Sequence, residues 1–164
     1  MTKWFVFYTK SRQEKKVRDL LQRNGFEAFL PLQQVLRQWS DRKKKVEVPL
    51  FNSYIFVNVS EERITDVLQT PGVAWAIRHN NRPAILHEKE LNMIKRFLDS
   101  GYFLETQGYE ELPQGTPVTV IDGPLRGFEG VVARDTSDNK LIVLLESIGQ
   151  SIRVTIDPHL LKPQ

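Results

Sequence analysis

The stretch 118–132, VTVIDGPLRGFEGVV, narrows the folding options of this chain more than any other. Residues 118–121 and 130–132 read as strands, because valine and isoleucine fit a pleated, half-buried surface. Glycines at 123, 127 and 130 lie in and beside the turn between them. Glycine serves where the backbone needs positive φ or a close approach that strains a β-branched residue. Pro124 presets one turn residue. Gly123, Gly127 and Gly130 are therefore read as structural.

The pattern continues downstream as short strands over 117–121, 130–135, 141–146 and 151–156, with a last piece near Leu160 and Leu161. Ser137-Asp138-Asn139 reads as a hairpin turn. Short strands at this spacing suit a small closed barrel. The run 141–148 fits a strand or a helix by pattern alone. The β-branched Val131, Val132, Ile142 and Val143 favour the strand.

The N-terminal part alternates strands with helices. Residues 4–8 form a strand with apolar side chains on both faces, so it sits centrally and is covered on both sides, or part of it awaits a partner. Ser11 and Glu14 have the spacing of a capping box. Val17, Leu20 and Leu21 then mark an amphipathic helix ending near Gly25, with Lys15, Lys16, Arg18 and Arg23 on its open face. A strand over 26–32 is interrupted at Pro31. Residues 33–49 read as a hairpin whose tip, 40–45, is strongly basic. A strand ends at Val57, and Ser60-Glu61-Glu62 opens a second helix. Thr70-Pro71-Gly72 stops that helix, 73–77 is a strand, and 88–98 is a third helix. The order gives an α+β domain over 1–103, a linker over 104–112 and a barrel over 113–164.

Charge divides along the same line. Residues 1–103 hold 18 Lys+Arg against 11 Asp+Glu, a net +7, and residues 104–164 hold 5 against 9, a net −4. The basic half is the better candidate to lie near nucleic acid, with uneven surface charge of no function as the other reading. No apolar run approaches the roughly 18 residues of a membrane span. The start lacks the apolar core of a signal peptide. There are no cysteines, so no disulfide or thiolate metal site is expected. A cytoplasmic monomer without a cofactor fits.

Residues 118–132 resemble the KOW motif of small SH3-like barrels found in transcription elongation factors and some ribosomal proteins. Upstream, Trp4-Phe-Val-Phe-Tyr8, the basic first helix, the Phe29-Leu-Pro31 step, Pro49-Leu-Phe-Asn-Ser-Tyr-Ile-Phe-Val57 and Thr70-Pro-Gly-Val73 resemble the NusG family. Together the two halves resemble NusG-type elongation factors over nearly the whole chain. Pro49-Leu-Phe and Tyr54-Ile-Phe look more like the specialised RfaH-like and UpxY-like antiterminators than the housekeeping factor. Asn52 departs from the proline common in the family. The fold so implied is an α+β NusG N-terminal domain, an α/β sandwich with an antiparallel sheet, followed by an SH3-like KOW barrel.

The resemblance implies binding rather than catalysis. The N-terminal domain of the family docks an apolar depression onto the coiled-coil clamp helices of the RNA polymerase large subunit and disfavours pausing. By motif match, Tyr8, Phe51, Tyr54 and Phe56 lie at or beneath that surface; core packing is the competing reading for aromatic strand residues. A second polymerase contact in the family uses the first turn of the second helix, here Arg63, Ile64 and Thr65. This chain lacks the His-Thr-Thr of RfaH-like paralogs there. Specialised paralogs also read the non-template DNA strand. Single-stranded recognition wants basic groups for phosphates and polar or stacking groups for bases. Lys10, Arg12, Gln13, Lys16 and Arg23 are the candidates, with a plain solvated helix face as the other reading. Arg42, Lys43, Lys44 and Lys45 offer non-specific phosphate contacts, with a mobile solvated loop as the other reading. The barrel in relatives recruits termination factor Rho or a ribosomal protein. Some relatives refold that barrel into a helical hairpin, which is not expected here. Phe128 and Ile148 are either a partner patch or barrel core.

Enzyme readings lack support. His79, His87 and His159 have no metal-ligand spacing, and there is no nucleophile elbow or P-loop. Gly123 to Gly130 has the wrong spacing for a dinucleotide fingerprint. Two competing functions are an RNA- or ribosome-binding KOW protein and a housekeeping factor that assists Rho.

Overall fold

In the computed structural model, which describes residues 1–109, 111, 114–133 and 140–164, the first aromatic run becomes the centre of a sheet. Strand β1 (Thr2–Thr9) is followed by helix α1 (Glu14–Arg23) and strands β2 (Glu27–Phe29), β3 (Leu32–Gln38), β4 (Lys43–Pro49) and β5 (Tyr54–Ser60). A 3-10 turn, Glu61–Arg63, leads into the short α2 (Ile64–Leu68). Then come β6 (Val73–Ala76), β7 (Arg78–His79), β8 (Arg82–Pro83), β9 (Ile85–Leu86) and α3 (Glu88–Asp99). The C-terminal part holds β10 (Leu104–Gly108), β11 (Gly115–Val120), β12 (Glu129–Ala133), β13 (Lys140–Leu145), β14 (Gln150–Thr155) and β15 (Leu161–Pro163). The chain divides into two compact units, Met1–Leu91 and Asn92–Gln164.

In the first unit the sheet runs β2-β5-β1-β6, with β9 also paired to β1. The pairings are antiparallel. Side chains alternate across β1. Phe5 and Phe7 join Ile55, Val57 and Val59 of β5 on one face, where Val17 and Leu21 of α1 and Val67 of α2 complete a core. Trp4, Val6 and Phe56, of opposite parity, are also buried. The strand is thus covered on both faces from Trp4 to Phe7, and Tyr8 near its end is half-buried. Beside the sheet, β3 and β4 form a separate two-stranded ribbon.

Two local expectations change. The capping box does not form: Gln13 is the N-cap, without a side-chain cap bond, and Glu14 accepts from the Ser53 N–H instead. The basic run is not the hairpin tip. The ribbon pairs Gln38 with Lys43, so Lys43, Lys44 and Lys45 lie on β4. The interruption expected at Pro31 is present: β2 ends at Phe29, and Leu32 starts β3.

The second unit is an antiparallel sheet ordered β10-β14-β13-β12-β11-β15, the small β domain expected of a KOW motif. The run 141–148 resolves as strand followed by a 3-10 turn, Glu146–Ile148. Part of the expected linker is strand: Leu104–Gly108 pairs with β14 along its length, because Leu104 has an apolar site to fill and is 2% exposed. The two compact units divide between Leu91 and Asn92, inside α3. The turn at Ser137-Asp138-Asn139 and the end of the strand at 134–135 lie outside the described residues.

The glycine turn is tied down from several sides. Gly123 and Gly127 take φ of 85° and 94°. Phe97 stacks on Phe128 at 4.8 Å, and the Arg96 guanidinium sits 4.4 Å from the same ring. Arg96 also donates to the carbonyls of Pro124 at 3.2 Å and Arg126 at 2.8 Å. Phe128 and Ile148 are 6% and 4% exposed, so both belong to the core of the second unit and not to a partner patch. Gly130 has a different reason to be glycine: a Cβ there would collide with the Ile142 carbonyl of β13 and crowd Leu141. Gly130→Ala is expected to destabilise the second unit by roughly 1–3 kcal/mol through overpacking. Urea unfolding followed by circular dichroism checks this; an unchanged midpoint would contradict it.

Candidate functional site

One face of the first sheet carries a row of aromatic rings. Tyr8 of β1 lies opposite Tyr54 of β5 and Trp75 of β6. Tyr8 stacks on Trp75 with centroids 4.6 Å apart and planes 3° from parallel. It meets Tyr54 edge-on at 6.2 Å. Behind them Phe51 touches Tyr54 at 6.3 Å and Phe56 at 6.0 Å. Phe29 stacks against Phe56 at 6.2 Å.

Burial grades along this row. Phe51 and Phe56 are 3% and 0% exposed, while Trp75 is 55% exposed. Tyr8 and Tyr54 are half-buried. The phenylalanines therefore form the backing, and the tyrosines and Trp75 present the surface. A phenol tolerates such a half-wet position because one end is apolar and the other polar.

A β-bulge places Trp75. Thr9 pairs with Val73, but Tyr8 pairs with Trp75, so Ala74 is the extra residue. Strict alternation would put Trp75 on the face of Val73, which is in the core. One inserted residue flips the side chains that follow to the other face. The sequence reading placed a strand here and missed Trp75, because period-two alternation assigns it to the core.

Two clips at the end of β1 hold the row. The Thr9 N–H donates to the Ser53 carbonyl at 2.7 Å, and the Lys10 N–H to the Gly72 carbonyl at 2.9 Å. The first fixes the residue before Tyr54; the second fixes the residue before β6. Ser53 takes φ of 65° and donates its N–H to Glu14 Oε2 at 3.0 Å. Gly72 has φ of 95°, and a Cβ there would lie 2.6 Å from Val17 and 2.9 Å from Gln13 Oε1. Gln13 is half-buried in this junction.

The other sequence candidates lie elsewhere. Ile64 and Val67 pack into the α1-side core, so α2, with exposed Thr65 and with exposed Arg63 as its N-cap, is on the opposite face of the sheet from the aromatic row. Arg63 covers the Phe26 ring at 4.8 Å and pairs with Asp66 at 3.3 Å. Lys10 and Arg12 are exposed in the β1–α1 turn, and Lys16 and Arg23 on α1. Lys16 and Arg23 are seven residues apart, two helical turns, so they share one stripe. Arg42, Lys43, Lys44 and Lys45 are exposed on the ribbon. The structure thus gathers Tyr8, Phe51, Tyr54 and Phe56, adds Trp75, and leaves the basic groups as separate patches.

Glu14→Ala removes the acceptor for the Ser53 N–H. Leaving a buried donor unpaired costs about 1–3 kcal/mol. The Ser53 amide is expected to exchange hydrogen faster in this variant, with global secondary structure retained. Unchanged exchange at Ser53 would contradict the clip.

Residues 2–95 match the family model NusG, described as transcription termination factor nusG. The transcription termination/antitermination protein NusG of Pseudomonas aeruginosa is 28% identical over 169 residues, spanning 94% of this chain and 94% of that protein. The protein of the same name from Chlamydia trachomatis is 28% identical over 166 residues, spanning 94% and 90%. A solved structure described as "Domain interaction in Thermotoga maritima NusG" shares the fold, with a TM-score of 0.60 at 20% identity over 99% of this chain and 97% of that one. The family match takes in more than half of the chain, including β1, β5 and β6, so this chain belongs to the NusG family of transcription termination and antitermination factors.

Proposed function

We propose that this chain binds RNA polymerase through the aromatic row and acts there as an elongation and antitermination factor. The occupant of the row is a pair of apolar-faced helices, the coiled-coil clamp of the polymerase large subunit. The observation that carries the reading is the half-exposed Trp75-Tyr8-Tyr54 row over a buried Phe51-Phe56 backing. Aromatic anchors over a packed base are the usual energetic centre of a protein interface. Burying the open half of an indole removes on the order of 100 Å² of apolar surface, about 2–3 kcal/mol. An exposed ion pair such as Arg63–Asp66 contributes at most about 1 kcal/mol. The row therefore dominates, and a contact through Arg63 and Thr65 is secondary.

Within the family the reading is a specialised antiterminator, supported by Pro49-Leu-Phe and Tyr54-Ile-Phe. Lys10, Arg12, Lys16 and Arg23 are the groups for the phosphates of a non-template strand. The second unit recruits a further factor, a ribosomal protein or Rho. Phe128 and Ile148 are buried, so recruitment falls to the exposed rim; Ile121, beside the glycine turn, is 46% exposed. The protein acts in the cytoplasm, without a cofactor and without catalysis.

Capture of RNA polymerase by the wild-type chain, and its loss in Tyr54→Ala and Trp75→Ala with circular dichroism unchanged, is the expected result. Loss of affinity should be tenfold or more, since about 1.4 kcal/mol corresponds to tenfold. No capture with a paused elongation complex at moderate salt would overturn the reading.

A further inference from the structure

The β3–β4 ribbon is not used by the aromatic row. Its base is anchored: Lys15 Nζ donates to the Glu47 carbonyl at 2.8 Å, and the Leu50 N–H to the Pro31 carbonyl at 2.9 Å. Its outer half is open. Each residue over 36–45 is exposed. That run holds five cations, Arg37, Arg42, Lys43, Lys44 and Lys45, against Asp41. None of them takes part in the ion pairs formed among the described residues.

The placement of charge is specific. Arg37 lies directly opposite Lys44. Like charges at opposed positions destabilise a strand pair on their own. Lys43 and Lys45 share the other face, because alternate residues on a strand point the same way. Cations thus stand on both faces of one thin ribbon. At the tip Trp39 is 53% exposed, and Leu36 is 65% exposed. The tip is closed by the Trp39 N–H donating to the Arg42 carbonyl at 2.8 Å. An exposed indole and two-sided positive charge on an arm with few apolar contacts do little for the fold.

A ligand that neutralises both faces has anionic walls on two sides. A single strand presents one backbone; a duplex groove presents two. The B-DNA major groove is about 12 Å wide and admits a two-stranded β-ribbon. The major groove of A-form RNA is too deep and narrow for side chains to read. Lys43 and Lys45 are roughly 7 Å apart along the strand, about twice the axial rise per phosphate of one DNA strand. We infer that the β3–β4 ribbon is a duplex-DNA-binding arm, with Arg37, Lys43, Lys44 and Lys45 on the phosphate walls and Trp39 at the tip against bases or sugars.

This inference stands apart from the polymerase reading, and its test contains no polymerase. The full chain is titrated into a fluorescein-labelled DNA duplex of about 20 base pairs, two helical turns. The same titration is run on a single strand of that length and on an RNA duplex, at several salt concentrations. The wild type is expected to prefer the DNA duplex. In the Lys43→Ala/Lys44→Ala/Lys45→Ala variant, the slope of log affinity against log salt should flatten by about two to three units. Trp39→Ala should weaken duplex binding with the salt slope kept. The substituted residues are exposed, and circular dichroism verifies their folding. Equal or tighter binding to the single strand or the RNA duplex would overturn the inference. So would no binding, or a triple variant with wild-type slope and affinity.

Discussion

The geometry of the candidate site depends on how the last residues of β1 are paired. Tyr8, Thr9 and Lys10 are consecutive, and each ties down a different part of the surface. Tyr8 supplies the central ring, Thr9 holds the residue before Tyr54, and Lys10 holds the residue before β6. The bulge at Ala74 then turns Trp75 out of the core and onto Tyr8. These are backbone hydrogen bonds between segments far apart in sequence, so the row exists only when the sheet is formed. A site on a paired strand end is more rigid than one on a free loop, and preorganisation lowers the entropy lost on binding.

The open aromatic surface and the basic surfaces of the first unit are separate. The aromatic row lies on one face of the first sheet, whereas α1 with its basic stripe packs on the other. The ribbon carries a further cluster of cations on a separate pair of strands. Hydrophobic burial is insensitive to moderate salt, while phosphate contacts weaken steeply as salt rises. On the proposed function, such a layout would keep a grip on a protein partner under conditions that release nucleic acid. The net −4 of residues 104–164 disfavours a polyanion and fits a protein partner for the second unit.

Much of the fold was legible because its signals are local. The apolar run 4–8, the spacing of Val17, Leu20 and Leu21, and the β-branched runs of the C-terminal part each specify an element on their own. The glycine turn was legible for the same reason, although the demand on Gly130 comes from the Ile142 carbonyl across the sheet. What was not legible is non-local. Glu14 has capping-box spacing with Ser11, but its carboxylate goes to Ser53, 39 residues away. Leu104 sits in a polar segment that reads as linker, and only the β14 edge makes it a strand. Of the candidate site, Tyr8 and Tyr54 came from the resemblance to the family's motif, and the polar tip on each ring favoured contact over core. Trp75 could not, because a single inserted residue reversed the parity.

Mapping the clamp contact on the intact chain tests the central claim most directly. Isotope-labelled protein is titrated with an isolated coiled-coil fragment of the polymerase clamp, and amide and indole shifts are followed by nuclear magnetic resonance. The account predicts that the largest shifts cluster at Tyr8, Tyr54 and the Trp75 indole, with the β3–β4 ribbon unmoved. Shifts confined to the ribbon or to α2, with the aromatic row unaffected, would contradict it.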